Sequence, residues 1–497
     1  MTDMKMNRRS FLAAAGAAAV ALGAGALGAQ ASEKTSAAAD SAGAVAKGGD
    51  YDVVVLGMGG AGMCSALSAK ESGAERVAIL EKLAVVGGNT NFSSSGMNAA
   101  GTKYQQAAGG DAATDTVDLF ISDTMTGGKN WNNRDLVTYM CTNSAAGIDW
   151  LDEHGITLSD VTTMGGASVP RCHRPADKSA VGAYIVPLLQ EQVEQAGIDV
   201  FMETPATGLV VDDRGAVTGV KATNPDGEEV TFDAGAVIVA TGGFGANFDM
   251  IGMYRPDLVD YVTTNANGSQ GEGMVMASKA GANLIQMDQI QTHPTVYQEN
   301  GALIGEAVRG AGAVLINSAG DRFTNEMGTR DVVSAAELKQ PDGKVWLLLD
   351  QGLYDSTPVV AKYEARGMTV KGDDLASLCG QLGVPADEAQ ATLDAYNAAV
   401  ADGGASDPFG RTTGLGALET APFYAIPVGP GIHHCMGGIY IDGDNQALTI
   451  EGRKIDGLFA AGEVTGGIHG ANRLGGNAVC DIVVMGINAG KKAAASL

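Results

Sequence analysis

Positive charge is scarce in this chain: 32 lysines and arginines stand against 57 aspartates and glutamates, for a formal net charge of −25. Such a chain repels nucleic acid and anionic membranes, so neither is expected as a partner. An anionic substrate would need a local cationic pocket. Cysteine is sparse and unhelpfully spaced. The six, at 64, 141, 172, 379, 435 and 480, form no C-x-x-C and no C-x-x-C-H. No structural zinc, iron–sulfur cluster or c-type haem is encoded. Disulfides after export are allowed but not required by the spacing. Any electron donor is therefore expected on another chain or as a diffusible molecule. Charged residues are only 18% of the chain and hydrophobic ones 45%, the balance of a well-buried globular protein.

A long, strongly apolar run is also missing. The Ala/Gly-rich stretch that ends at Leu27 is short and weakly hydrophobic, which disfavours a membrane anchor. It follows Asn7-Arg8-Arg9-Ser10-Phe11-Leu12 and precedes Ala29-Gln30-Ala31, an A-x-A cleavage pattern. Residues 1–31 therefore read as a twin-arginine signal peptide, and the small, polar residues 32–49 as a tether. The expected location is periplasmic or cell-surface. Twin-arginine export carries folded proteins, often with a cofactor already loaded.

What the chain has in excess is glycine. Its 71 glycines fall in GG and GxG clusters rather than in a repeat, suggesting tight backbone approaches to a ligand. At 497 residues, two or three domains are expected. Residues 51–56 (YDVVVL) read as a buried parallel strand. Gly57-Met58-Gly59-Gly60-Ala61-Gly62 comes next, then a helical run over 63–72 and a strand over 76–80 ending in Glu81. This is the dinucleotide fingerprint in its required context: glycines admit a pyrophosphate at a helix N-terminus, and the acid takes ribose hydroxyls.

Segments farther along the chain favour FAD over NAD. Gly87-Gly88-Asn89-Thr90 and Ser93-Ser94-Ser95-Gly96-Met97-Asn98 form a small-residue loop suited to an extended dinucleotide. Residues 236–240 (AVIVA) read as a strand ending in Thr241-Gly242-Gly243, and 457–463 as a strand, a glycine and Glu463. Gly475-Gly476-Asn477-Ala478-Val479 opens a last apolar helix expected to reach residue 489, whose N-terminus suits negative charge on a reduced flavin. Elsewhere, 133–153 and 181–196 read as helices and 164–169 and 171–175 as loops. Strands at 210–220 and 229–232 form a small meander around Asn224-Pro225-Asp226-Gly227.

Residues 292–331 concentrate the reactive side chains: His293, Glu306 in an apolar run, Arg309 and Arg330. Glu306 and Arg309 are spaced to share a face of a helical turn. A glutamate between two arginines, near a histidine, suits a carboxylate-binding and proton-passing site. It equally suits a structural ion-pair network. An inserted domain is expected over 289–415, between FAD-domain parts at 50–288 and 416–497.

The motifs GMGGAG, GGNT…SGMNAA, MGGAS…HRP, QTHPT, EAVRG, RFTNE…TRD, HHCMGG and AAGEVTGGIHGANRLGGNA resemble the soluble fumarate reductase flavoproteins of the succinate dehydrogenase and aspartate oxidase superfamily, over about residues 50–497. The resemblance implies an α/β fold: a Rossmann-like FAD-binding domain with an inserted α+β capping domain and the active site between them. It implies Arg330 as proton donor, with Glu306 and Arg309 as the relay that resupplies it. It implies His293 on one substrate carboxylate, His433 and Arg473 on the other, Met164 over the double bond and His434 against the flavin. Ala206 and Glu272 join the glycine-loop, small-residue-loop and C-terminal residues as FAD contacts. Covalent relatives use a histidine where Asn89 stands, so FAD is expected to be non-covalent. Many relatives carry a haem or FMN domain, so a separate donor such as a c-type cytochrome or FMN-bearing protein is expected here.

Two positions depart from the fumarate-reducing pattern: threonine is replaced by Gly305, and methionine by Leu303. Loss of the threonine removes a donor and is expected to open space, so a bulkier unsaturated acid, such as an aryl- or ring-bearing acrylate, fits as well as fumarate. The same site would serve a dehydrogenase or oxidase running in reverse, and an exported flavoprotein electron carrier is a further class. A flavin ketosteroid dehydrogenase would want tyrosines that the motif loops lack.

Overall fold

A computed structural model describes residues 46–497. The signal-peptide reading and most of the tether lie outside those residues. The strand expected to begin at residue 51 starts earlier, at the tether's end. Strand β1 (Ala46–Leu56) pairs its first residues with Val230, Thr231 and Phe232.

From β1 the chain turns through the glycine loop into helix α1 (Gly60–Glu71) and returns on β2 (Val77–Leu80), parallel to β1. Strand β3 (Asp199–Phe201) extends the sheet parallel to β2. A hairpin, β4 (Ala206–Val211) and β5 (Val217–Thr223), leads into β6 (Glu229–Val239), which lies parallel to β1 on its other side. The two strands expected at 229–232 and 236–240 are one. Its outer half alternates exposed and buried residues and its inner half is buried throughout, so two different patterns describe a single strand. Near the end of the chain, β11 (Gln446–Leu448) and β12 (Lys454–Ala460) complete the sheet, β12 parallel to β6. The last helix, α4 (Asn477–Ala495), packs on α1 and runs past the expected end at 489.

Other segments differ from expectation for identifiable reasons. The helix expected over 133–153 is two, Arg134–Thr142 and Ser144–Glu153, broken at Asn143. The stretch 171–175, expected as a loop, contains a strand at Cys172–Arg174 between Met97–Asn98 and Asp160–Thr162. Its charged residues hid it, because they pair within the protein: buried Arg171 with Asp115 and Asp123, Arg174 with Asp160, and His173 with the Thr102 hydroxyl.

The apolar interior has two parts. One is built from this sheet with α1 and α4, and draws on residues 51–290 and 432–493. The other draws on residues 297–428. It surrounds β8 (Val314–Asn317), β9 (Val345–Asp350) and the first half of the long strand β10 (Phe423–Cys435). β10 belongs to both. Its first half pairs with β9, and its second half with β7 (Ile290–Val296) in the antiparallel sense. The chain is therefore α/β, a Rossmann-like FAD-binding domain with an inserted α+β capping domain. The second core runs past residue 415 because β10 carries its residues through Val428. The end of β10 places His433 and His434 where the two parts meet, beside the short helix α2 (Glu306–Gly310) and helix α3 (Arg330–Glu337).

Candidate active site between the two cores

A long cavity begins at the N-terminus of α1, where Gly57, Gly59, Gly60 and Ala61 line it. Gly57 has φ +99°, and a Cβ there would lie 2.7 Å from the Ala240 carbonyl, so glycine is required. Gly62, expected among the cofactor contacts, is not among the lining residues. A Cβ on it would sit 1.9 Å from the Gly57 oxygen. Its glycine lets α1 close onto the loop. Glu81 lines the cavity while its two carboxylate oxygens accept from the backbone N–H groups of Met58 and Leu83, both at 2.8 Å. The unused lone pairs of those oxygens remain for hydroxyl donors.

The other expected cofactor residues all line the same cavity: Gly88, Asn89, Thr90, Ser95, Gly96, Ala206, Thr241, Gly242, Glu272, His434, Glu463, Ala478 and Val479. Asn89 is fully engaged by protein. Its amide nitrogen donates to Asn265 at 2.7 Å and Glu463 at 3.0 Å, and its oxygen accepts from the Ala266 N–H at 2.7 Å. Two buried polar atoms on the wall, Thr241 Oγ1 and His434 Nδ1, have no partner in the protein. Buried polar atoms seldom stay single, so these fit a polar ligand in the cavity.

Arg330, His433, Arg473, Leu303 and Ser94 line the cavity too. Arg330 donates through Nε and Nη2 to one oxygen of Glu306, at 3.2 and 3.0 Å, and through Nη1 to Gln291 at 3.1 Å. The other Glu306 oxygen accepts from the Gly165 N–H at 2.9 Å. Arg309 Nη2 stands farther off, 3.9 Å from Glu306. Burial pushes the Glu306 carboxyl up, but Arg330 and Arg309 outweigh it and hold it below its ordinary value. Gln291 lies in the QTHPT motif, yet no role was expected of it. It joins Arg330 to the Arg473 loop by donating to Asn472 at 2.6 Å and the Arg473 carbonyl at 2.7 Å.

Three expected substrate contacts, His293, Gly305 and Met164, are not among the cavity's lining residues, and neither are the expected relay residues Glu306 and Arg309. Met164 is buried beside Gly475. His293 lies behind His433, their ring centres 5.0 Å apart. Burial first, then Arg330, lowers His293 well below its ordinary pKa; burial, Arg330 and Arg473 do the same to His433, so both are neutral. His293 Nδ1 accepts from the Thr295 N–H at 3.2 Å, which puts the ring proton on Nε2, a buried donor without a partner.

Gly305 corrects an expectation. A Cβ at this position would lie 3.2 Å from Ser94 Oγ and 3.5 Å from Tyr363 Oη, and the Gly305 N–H donates to that same Tyr363 oxygen at 2.9 Å. The volume vacated by a missing threonine is filled by two hydroxyl groups, not opened. Neither Ser94 nor Tyr363 was expected at the substrate end; only the three-serine run marked the former, and nothing in the sequence marked the latter.

The ion-pair alternative can be judged by comparison. Arg322, Glu326, Asp407 and Arg411 form a buried network in which Glu326 takes both arginines and Asp407 pairs with Arg322. None of their side-chain atoms is orphaned. Around Glu306, by contrast, Arg309 Nε and Nη2, Arg473 Nε and His293 Nε2 all lack partners. The first network is structural. The second has donors left over, and Arg473, the one of these residues on the cavity wall, is placed to meet an anionic ligand.

Residues 52–479 match the FAD binding domain family. The chain belongs to that family, among the fumarate reductase flavoproteins, FAD-dependent oxidoreductases acting on CH–CH bonds. It is 43% identical over 445 residues to an NADH:fumarate oxidoreductase of Klebsiella pneumoniae, covering 89% of this chain but 48% of that relative's length. It is 38% identical to a urocanate reductase of Eggerthella lenta, covering 90% of this chain and 75% of the relative. The solved open conformation of a flavocytochrome c3 fumarate reductase superposes with a TM-score of 0.77 at 40% identity, covering 90% of this chain and 79% of that one. Among the described residues no helix is long and apolar enough to cross a membrane.

Proposed function

We propose that this protein reduces the carbon–carbon double bond of a small α,β-unsaturated carboxylic acid, with FAD held non-covalently and electrons delivered by a separate donor such as a c-type cytochrome or FMN-bearing protein. The observation that carries the reading is Arg330: a cation that faces the cavity beside His433 and Arg473 while Glu306 holds it from behind. The chemistry that bound FAD supplies is hydride donation to one alkene carbon. Arg473 and His433 hold one carboxylate and stabilise the charge that builds on it. The other end of the acid meets the Ser94 hydroxyl, which stands in for the threonine absent at 305, while His293 backs His433 from behind. Arg330 gives a proton to the second alkene carbon, a carbanion-like centre basic enough to deprotonate a guanidinium. Glu306, in contact with it, returns the proton. Fumarate and acrylates with a larger substituent share this chemistry, and Leu303 lies on the wall the substituent would meet. The arginine pair and signal-like run at the N-terminus support an exported, respiratory role.

The test is a screen of α,β-unsaturated acids with chemically reduced viologen as donor. At least one acid should reoxidise the viologen catalytically. If none does, and saturated acids instead reduce an added dye, the enzyme runs in the opposite direction.

A further inference from the structure

The proton returned to Arg330 must come from outside, and Glu306 and Arg309 are both buried. Helix α3 suggests the source. Its buried face is Arg330, Val333, Ser334 and Glu337, the spacing of an apolar stripe, yet three of the four are polar. Glu337 is 2% exposed, and neither carboxylate oxygen has a partner; the Ser334 hydroxyl has none either. A buried carboxyl without partners is costly and rare. Nothing in the fold explains it: among the described residues Glu337 caps no helix and closes no salt bridge. Of the titratable or charged groups on neighbouring elements, Glu306 and Arg309 on α2, His293 on β7 and His433 and His434 on β10, only Arg309 acts on its carboxyl. Arg309 is itself half-used, with Nε unpartnered and Nη2 reaching toward Glu306 only at 3.9 Å. Directly beyond Glu337 the chain surfaces, Leu338 being 58% exposed.

We propose that Glu337 is the outer proton-holding group of this site, loading from solvent and passing its proton through Arg309 to Glu306 and so to Arg330. The inference rests on the reductase reading above. In each turnover Glu337 goes from carboxylic acid to carboxylate and is reloaded by solvent. Arg309 and Glu306 each gain and lose one proton, and the net change is one solvent proton placed on carbon. Burial keeps the acid protonated above the ordinary carboxylate range, which is what a donor at neutral pH requires.

The test compares Glu337→Gln and Glu337→Asp in the FAD-loaded protein, with infrared spectroscopy alongside kinetics. Wild type should show the band of a protonated carboxylic acid at neutral pH, and Glu337→Gln should lose it. Glu337→Gln should lower kcat about tenfold at unchanged KM, less than loss of the direct donor, and remove the fall of kcat with rising pH. Glu337→Asp, which keeps the acid, should restore that pH dependence. Wild-type kcat and pH profile in Glu337→Gln would overturn the proposal, as would an infrared spectrum that the substitution leaves unchanged. Failure of every unsaturated acid to reoxidise the donor would sink the reductase reading instead, while the infrared result would still report on Glu337.

Discussion

At the scale of single residues, the site is defined by which side chains have spare hydrogen-bonding capacity. Arg330 is bound from behind by Glu306 and Gln291 and faces the cavity in front. Arg330→Ala should therefore abolish turnover while flavin content stays near wild type, because the residues that line the flavin end of the cavity are elsewhere. A general acid is worth about 100-fold or more, so a variant retaining over about a tenth of wild-type kcat would exclude Arg330 as donor. Glu306→Gln should slow turnover strongly, since an amide cannot resupply the proton. Ser94 and Gly305 make a sharper pair. With Ser94 Oγ only 3.2 Å from where a Cβ at 305 would lie, Gly305→Thr crowds the serine and should raise KM in the wild-type background. Ser94→Ala removes the hydroxyl and should weaken acid binding by about 10- to 150-fold, the worth of one hydrogen bond to a charged group. The double variant, with the hydroxyl moved back to position 305, should recover much of that loss. Simple additivity of the two single effects would show that the hydroxyls are not exchanging roles.

At the scale of elements, α3 shows how much the sequence discloses and where it stops. Arg330 was legible from the TRD motif, and Glu306 and Arg309 from their helical spacing. Glu337 was not, because the period that marks a buried face carries no sign when the buried residue is charged. The dinucleotide loop was legible because strand, glycines, helix and acid are consecutive. Gln291, Ser94 and Tyr363 were not, because their neighbours come from distant segments and only the folded chain brings them to Arg330 and Gly305. The Cys172–Arg174 strand failed for the same reason: Arg174 pairs with Asp160, and Arg171 just before the strand with Asp115 and Asp123 from far upstream. Glu337 also gives α3 a pH signature. Its folded pKa lies well above the ordinary value, burial being the main cause, so the native state binds its proton more tightly than the unfolded chain. That contribution to stability is fully present below the unfolded carboxylate pKa, about 4.3. It is lost as pH rises through the folded value. Thermal unfolding followed from about pH 4 upward should show wild type losing stability relative to Glu337→Gln. Parallel curves for the two proteins would mean that the folded and unfolded pKa values are alike.

At the scale of the whole molecule, the cavity is walled by segments far apart in sequence: the α1 loop and the 88–96 loop, the start of β4, the end of β6, and residues from Ala461 to Ile482. A ligand that touches all of them ties the two separated parts of the FAD-binding domain to each other. FAD should therefore act as a structural ligand as well as a redox one. Binding only to the folded state stabilises by about 2.7 kcal/mol when free ligand is a hundredfold above Kd. Because position 89 carries an asparagine amide, engaged by Asn265, Glu463 and Ala266, and no nucleophilic histidine nitrogen, no covalent link is expected there and acid precipitation should release all the yellow colour into the supernatant. The protein refolded without FAD should unfold at a lower temperature, and added FAD should restore the difference in a concentration-dependent way. AMP, which would fill only the part of the cavity near Glu81, should restore part of it. Flavin remaining on the denatured chain would overturn the non-covalent assignment. An apoprotein as stable as the holoprotein would show that the protein segments around the cavity hold together without help from the ligand between them.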